Sequence, residues 1–164
     1  MIAVADSSPL IILSKLDCFD HLHRIFTRVY ISIEVYREVV VSAAGRPGAL
    51  EVEKADWIET KTVQNTAGFL AAQEESSLGV GEISTIFLAK EIRADEVLLD
   101  DLAARRLGKV EGIEVLGSAG LLEAFYMGGY LSDLRNSFRL LLAHSYIDRR
   151  LLDRRLQALG LPPL

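Results

Sequence analysis

Short apolar runs alternate with longer segments of helical period along this chain. Such an alternation is typical of a parallel β-sheet with helices on both faces. The apolar runs predict five strands, at residues 2–5, 28–32, 57–63, 96–100 and 113–117. Each predicted strand is followed by a segment that can form a helix, so the pattern predicts an α/β fold built on a parallel sheet.

The helical segments carry recognisable start and stop signals. Ser7 or Ser8 can cap the first helix, with Pro9 at its opening position, where a missing N–H group costs nothing. Gly45 is expected to end the second helix. The later helices are predicted in "ISIEVYREVVVSAAG", "GEISTIFLAKEI" and "SAGLLEAFYMGGYL" and at about 132–145 and 148–159, while no pattern is readable over 64–78.

The length and composition indicate one globular domain. The chain has 164 residues, and we expect a single domain over 1–164, with a core at 1–130 and C-terminal helices at 131–164. No apolar run reaches the roughly 18 residues that span a bilayer, so no membrane association is expected. The apolar N-terminus lacks the basic start and cleavage site of a signal peptide. Cys18 is the one cysteine, which excludes an internal disulfide and suits a cytoplasmic protein.

Charge is distributed unevenly along the chain. The formal net charge of −5 argues against a protein that coats nucleic acid through bulk electrostatics. The segment 131–164 nevertheless has six arginines against three aspartates. These arginines can flank a substrate groove, bind an acidic partner segment, or form a solvated helix face.

Three carboxylates follow two of the predicted strands. Asp6 comes directly after the first strand, and Asp100 and Asp101 end the fourth. In open parallel sheets, ligands bind beyond the carboxyl ends of the strands, where the strand order reverses. If the order is 3-2-1-4-5, the first and fourth strands are neighbours. The three carboxylates then meet at one edge of the sheet.

Helices that begin at this edge add further acids. Glu82 lies in the first turn of its predicted helix, and Glu38 lies one turn after Glu34 on the second. Clustered carboxylates repel one another and raise one another's pKa, so such a cluster persists mainly when a cation neutralises it. All-oxygen ligation suits Mg²⁺ or Mn²⁺. The arrangement therefore predicts metal-assisted hydrolysis.

Each acid also has a purely structural interpretation. Asp101 stands where a helix N-cap is expected, and Asp6 can serve a turn. Glu82 in a first helical turn is favourable to the helix dipole, and Glu34 and Glu38 can lie on a solvated face. The joint placement is therefore the signal. The histidines are scattered and predict no metal site, and no Gly-rich phosphate loop is present.

Five blocks of the chain carry a family resemblance: "VADSSPLIILSKL", "YISIEVYREVV", "GVGEISTIFLAKEI", "VLLDDLAARRLG" and "IEVLGSAGLLEAFYMGGYL". Together they resemble the PIN-domain nucleases, in the same order and spacing over about 1–130. More narrowly, they resemble the short prokaryotic PIN proteins related to the toxin ribonucleases of VapBC-type toxin–antitoxin pairs. The resemblance implies a three-layer α/β/α sandwich around a parallel sheet, a divalent-metal site and hydrolysis of single-stranded RNA.

The resemblance also implies a role for each acid. Asp6 is the first acid, with Ser8 as a supporting hydroxyl, Glu38 is the second, Glu82 the third, and Asp100 or Asp101 the fourth. Asp6, Glu82 and Asp100 or Asp101 would hold one or two Mg²⁺ or Mn²⁺ ions. Glu38 would complete the cluster or orient the attacking water.

The same resemblance suggests partners. Arg105 and Arg106 lie one turn beyond the fourth strand and can meet RNA phosphates, or form ordinary solvated helix charges. A small antitoxin protein and a second copy of the chain are the expected protein partners of a VapC-like toxin. Two alternatives are a PIN-like module that acts by binding protein or RNA, and a DNA-directed nuclease, which usually needs extra helical insertions.

Overall fold

The computed structural model describes all residues from 1 to 164, and its centre is a five-stranded parallel sheet. The strands are β1 Ile2–Ala5, β2 Arg28–Ser32, β3 Ile58–Lys61, β4 Glu96–Leu98 and β5 Val115–Leu116. All four strand pairs are parallel, and the order across the sheet is β3-β2-β1-β4-β5. Helices flank the sheet. The predicted α/β class, parallel sheet and 3-2-1-4-5 order are therefore confirmed.

Ten α-helices accompany the strands. Within residues 1–117 they are α1 Ser7–Lys15, α2 Leu22–Ile25, α3 Ile33–Tyr36, α4 Ala49–Lys54, α5 Thr66–Glu75, α6 Val80–Ile92 and α7 Leu102–Val110. The remaining helices are α8 Ser118–Met127, α9 Leu134–His144 and α10 Arg149–Ala158. A 3₁₀ turn over Phe19–His21 leads into α2, and a π-helix over Arg37–Ser42 continues α3.

Three strands are shorter than their apolar runs predicted. The predictions at 57–63, 96–100 and 113–117 overshoot, because β3, β4 and β5 pair over only four, three and two residues. The pairing of β4 with β5 stops at Leu98 and Leu116. Asp100 and Asp101 therefore do not end the fourth strand but lie just beyond it.

The first helix starts earlier than predicted. Helix α1 begins at Ser7, so Asp6 holds the N-cap position and Pro9 is the third helical residue rather than the first. The prediction that Ser7 or Ser8 caps this helix is wrong. Pro9 is still tolerated, because the N–H groups of a first turn have no partner within the helix.

Two other segments also differ from the pattern. The second predicted helix ends at Ser42 as a π-helix, and Gly45 follows in a turn with a φ of 79°. The unreadable stretch 64–78 contains α5, which is capped by the Asn65 side chain accepting from the N–H of Gly68 at 3.0 Å.

The strand residues alternate between two covered faces of the sheet. Val4 on β1 pairs in register with Val97 on β4, and both belong to an apolar cluster with Ile83 and Ile86 of α6. Ala3, which alternates with Val4, is also fully buried. Burial of both faces explains why these strands consist almost entirely of apolar residues. It also holds the N-terminus of α6 near the carboxyl edge of the sheet.

The chain divides into two compact units, residues 1–117 and 118–164. The second unit contains α8, α9 and α10, so residues 118–130 group with the C-terminal helices rather than with the predicted core. A single domain over 1–164 stays a prediction. No helix is long and apolar enough to cross a membrane.

Several C-terminal arginines are engaged within the second unit. Arg155 donates to the carboxylate of Glu123 at 2.5 Å. Arg135 donates to the carbonyl oxygen of Pro163 at 2.6 Å, and Arg149 donates to that of Leu164. These three arginines thus have structural partners, whereas Arg139, Arg150 and Arg154 are exposed.

Candidate active site

Asp6 is the most deeply buried acid at the carboxyl edge of the sheet. Its side chain is only 5% exposed, and its N–H donates to the carbonyl oxygen of Leu98 at 3.0 Å, which fixes it between β1 and β4. The carboxylate makes no capping hydrogen bond to α1, and its Oδ1 atom is buried without a hydrogen-bond partner. A buried, unpaired carboxylate oxygen is costly and calls for an explanation.

Both burial and neighbouring acids affect the ionisation of Asp6. Burial raises the pKa of Asp6 to about 7, against the lowering effect of a hydrogen bond from the Ser7 backbone. Glu38, Glu82 and Asp100 raise it further through like-charge repulsion. Three of the other four predicted acids therefore act on one nearly dry carboxylate, that of Asp6.

Glu38 lies on the π-helix that continues α3. Its Oε2 accepts from the hydroxyl of Ser7 at 2.9 Å, so the residue that follows Asp6 holds the second acid. Glu38 is half-buried. Single-turn π-helices are frequent at functional sites because the extra residue re-aims side chains that a regular helix would point elsewhere.

Glu82 occupies the first turn of α6. Its Oε2 accepts from the N–H of Gly79 at 2.8 Å, which satisfies a free donor at the helix N-terminus. Burial raises the pKa of Glu82, the Gly79 hydrogen bond lowers it, and Asp101 and Glu38 raise it further. Glu82 thus has a structural role and also faces the other acids.

The two adjacent aspartates have different surroundings. The Oδ2 of Asp100 accepts from the hydroxyl of Ser8 at 3.2 Å, and Asp100 is one of the acids that raise the pKa of Asp6. Asp101 is exposed, and its Oδ1 accepts from the N–H of Ala104 at 2.8 Å. The predicted cap role of Asp101 is confirmed, and Ser8 contacts the fourth acid as a supporting hydroxyl would.

The two arginines of α7 also differ in their surroundings. Arg105 is half-buried, and its guanidinium occupies the space directly above Gly117, where an added Cβ would clash with it. The Oδ1 of Asp100 lies 3.2 Å from the same point. Arg106 is exposed to solvent. Arg105 therefore lies at the acid edge, while Arg106 lies on an outer surface.

The chemistry of these side chains fits a hard divalent cation. The cluster presents carboxylate oxygens, and the orphaned Oδ1 of Asp6 is the kind of atom that a cation would satisfy. As they stand, however, no three His, Cys, Asp or Glu side chains are arranged to hold a metal ion. Serine hydroxyls and main-chain N–H groups engage Glu38, Glu82, Asp100 and Asp101 instead.

Two contributors were not predicted from the sequence. Ser7, which holds Glu38, was considered only as a helix cap, although the Ser7-Ser8 doublet directly after an acid is visible in the sequence. Gly81 was read only as part of a helix, yet it lies against the Glu38 carboxylate. A glycine in the first turn of a helix, next to a candidate ligand, is the signal that points to it.

Comparison with known proteins identifies a family. No curated protein matches the chain. A family model described as a PIN domain matches residues 2–161, which is nearly the whole chain. PIN domains are generally nucleases that act on nucleic acids and use divalent metals. The matched residues include the whole acid cluster and the five-stranded sheet that positions it, and the chain belongs to the PIN-domain family.

Proposed function

We propose that this protein is a metal-dependent endoribonuclease that hydrolyses single-stranded RNA at the carboxyl edge of its sheet. The observation that carries the proposal is the state of Asp6. Its carboxylate is nearly dry, one of its oxygens has no partner, and three other carboxylates raise its pKa. A cation would give the buried oxygen of Asp6 a partner and would neutralise the repulsion between the carboxylates.

The acids divide the work of metal binding and water activation. Asp6, Glu82 and Asp100 would hold one or two Mg²⁺ or Mn²⁺ ions, and Asp101 keeps α7 capped while it adds negative charge beside Glu82. When bound, the metal supplies a Lewis acid that lowers the pKa of a water molecule and neutralises charge on phosphoryl oxygens. Glu38 completes the cluster or orients the attacking water.

The hydroxyl groups and arginines have positioning roles in this mechanism. Ser7 holds Glu38 and Ser8 holds Asp100, so each hydroxyl limits the rotation of one carboxylate. Arg105, at the acid edge, contacts an RNA phosphate next to the scissile bond, and Arg106 contacts a more distant one.

The biological role follows from the likeness to VapC-type toxins. We assign the protein the toxin role of a toxin–antitoxin pair in the cytoplasm, with a small antitoxin protein as partner and a homodimer as the working form. The resemblance of the five sequence blocks supports this assignment. The exposed C-terminal arginines, Arg139, Arg150 and Arg154, supply a surface for an acidic antitoxin segment.

A cleavage assay on matched substrates tests the proposed reaction. Single-stranded RNA and single-stranded DNA of the same sequence are incubated with the protein in Mn²⁺, in Mg²⁺ and in excess EDTA. We expect cleavage of RNA in either metal, no cleavage in EDTA, and loss of about 100-fold in rate for Asp100→Asn.

Other outcomes lead to different conclusions. Preferential cleavage of DNA would assign the protein to the alternative nuclease class. Tight RNA or protein binding without cleavage in any divalent metal would identify a PIN-like binding module and overturn the nuclease proposal.

A further inference from the structure

Gly81 leaves space that the Glu38 carboxylate fills. Gly81 is buried in the first turn of α6, and an added Cβ would lie 2.7 Å from Oε1 and 2.9 Å from Oε2 of Glu38. No real Cβ tolerates contacts that short. The backbone of Gly81 is not in the left-handed region, so its conformation does not require glycine. The missing side chain is therefore what admits the carboxylate.

A buried chain of hydroxyl groups fixes Gly81 in place. The hydroxyls of Ser84 and Thr85 both donate to the carbonyl oxygen of Gly81, at 2.9 and 2.7 Å. The Ser84 hydroxyl also lies 2.7 Å from that of Ser32, which accepts from the N–H of Val35 at 3.1 Å. Because Ser84 uses its proton on Gly81, Ser32 donates to Ser84.

This chain of hydrogen bonds joins two elements that carry acids. Ser32 caps α3, which continues into the π-helix with Glu38, while Ser84 and Thr85 belong to α6, which carries Glu82. All three hydroxyl residues are fully buried, so the hydrogen bonds are shielded from water. The network therefore sets the spacing between the second and third acids.

We propose that Gly81 is a positioning residue for the Glu38 carboxylate in the acid cluster. The space left by the missing side chain of Gly81, called the seat below, receives this carboxylate. The hydroxyls of Ser32, Ser84 and Thr85 hold the Gly81 backbone in position. Glu38 then lies between the Gly81 Cα on one side and the Ser7 hydroxyl on the other. The importance of the seat for catalysis rests on the proposed nuclease function, but the seat itself is a matter of geometry.

A cycle of G81A and E38D variants tests the seat. The added methyl group of G81A displaces the flexible end of Glu38, whereas the shorter side chain of E38D withdraws the carboxylate from Gly81. We expect G81A to lower kcat for RNA cleavage about 10-fold with little change in KM. In the E38D background the same G81A change costs less than about twofold, because the clash is already gone.

Gly68 offers a matched control for the steric change. It lies in the first turn of α5, where an added Cβ would meet the flexible side chain of Asn65 at 2.5 Å. G68A thus creates the same type of clash away from the acids. We expect its kcat to stay within about twofold of wild type.

Crystal structures of wild type and G81A test the position of the Glu38 carboxylate directly, independently of whether the protein is a nuclease. The seat predicts that the hydrogen bond from Ser7 to Glu38 is present in wild type and broken in G81A, whether or not RNA is cleaved. An unmoved Glu38 in G81A overturns the seat. Equal kcat losses from G81A in the wild-type and E38D backgrounds, or no loss in either, overturn it as well.

Discussion

Acidic side chains collect at both ends of the sheet, but the two ends treat them differently. At the amino end, Glu111 pairs with Lys90 and Asp95 accepts from the N–H of Ile2 at 2.6 Å. At the carboxyl end, Glu38 and Asp100 accept from serine hydroxyls, and Glu82 and Asp101 accept from main-chain N–H groups. One end contains an ion pair, and the other gathers negative charge around Asp6.

The acids at the two ends of the sheet also differ in how deeply they are buried. Glu96 at the amino end also has a buried oxygen without a hydrogen-bond partner, and burial, Glu114 and Asp95 raise its pKa. The Glu96 side chain is nevertheless partly exposed, whereas Asp6 is 5% exposed. Water can reach Glu96 and relieve its charge. Three carboxylates raise the pKa of Asp6, and two raise that of Glu96. The comparison shows that the depth of burial, and not negative charge alone, distinguishes the acid cluster at the carboxyl edge as the candidate metal site.

A surface cavity and the acid cluster lie at opposite ends of the sheet. A cavity of about 390 Å³ lies at the amino end and is lined by residues that include Lys90, Arg93 and Glu111. A single nucleic-acid strand is bound along its backbone in a groove and does not need an enclosed cavity. The chemistry of Asp6 is therefore the better guide to the active site.

The largest expected effect comes from neutralising Asp6, with Glu96 at the opposite end of the sheet as the control. Asp6→Asn should lower the rate of RNA cleavage about 1,000-fold, because it removes a charge that holds the metal. Glu96→Gln should change the rate less than about twofold, since it lies at the opposite end. Single-turnover cleavage in Mn²⁺ measures both. A comparable loss in the two variants would mean that the ends are not functionally distinct.

The pH dependence of stability gives the next largest effect. A pKa raised to about 7 means that the folded state binds the Asp6 proton more tightly than the unfolded state does. Ionisation of Asp6 therefore opposes folding, and its cost appears as the pH rises from about 4 to 7. In metal-free buffer at about pH 8, Asp6→Asn should exceed wild type by roughly 2–4 kcal/mol in the free energy of unfolding.

Urea denaturation of both proteins across this pH range measures the difference. At about pH 4 the gain should be small, because Asp6 is then protonated in the folded wild type and carries no charge to relieve. Asp20→Asn, at an exposed aspartate, is the control and should show no such trend. A difference between Asp6→Asn and wild type that does not vary with pH would contradict the assigned environment of Asp6.

We expect different roles for the two neighbouring aspartates, with Asp101 as a helix cap and Asp100 as a metal ligand. Asp101→Ala should lower the free energy of unfolding by about 1 kcal/mol, because α7 loses the acceptor for the Ala104 N–H. Asp101→Asn keeps a capping oxygen and should cost no more than about 0.3 kcal/mol. Thermal unfolding measures both variants. If Asp101→Asn abolishes Mn²⁺ binding while Asp100→Asn does not, the roles are the reverse of those assigned.

The smallest expected effect concerns the arginines. Arg105→Ala should raise the KM for RNA about threefold and reduce its salt dependence, because one phosphate contact at the acid edge is lost. Arg106→Ala should have a weaker effect, and Arg93→Ala, at the amino end, should have none. Steady-state kinetics at two salt concentrations measure all three. Equal effects at both ends of the sheet would indicate only general attraction between arginine and RNA.

The sequence predicted the parallel sheet and the candidate acids from local patterns, whereas the 3-2-1-4-5 order entered as a condition on that sheet. Apolar runs separated by helices predict a parallel sheet, and acids placed after adjacent strands meet at its edge. The exact strand ends were not predictable, because they depend on the partner strand. Strand β5, which pairs over two residues only, leaves Asp100 outside the ladder.

The finer geometry of the site depends on contacts that no local pattern reveals. The direction of Glu38 follows from the π-helix, whose extra residue per turn is set by packing and not by residue type. The contacts of Ser7 and Gly81 with Glu38 join elements distant along the chain. Such contacts can be recognised only once the fold has brought these elements together.

Titration of Mn²⁺ into the purified protein by isothermal calorimetry tests the central claim most directly, because it asks whether the acid edge binds a cation without depending on the RNA substrate. Wild type and Glu96→Gln should bind Mn²⁺ with similar affinity, and Asp6→Asn should bind it at least about 10-fold more weakly. An absence of Mn²⁺ binding by wild type, or equal affinity in Asp6→Asn, would contradict the assignment of the acid edge as a metal-dependent nuclease site.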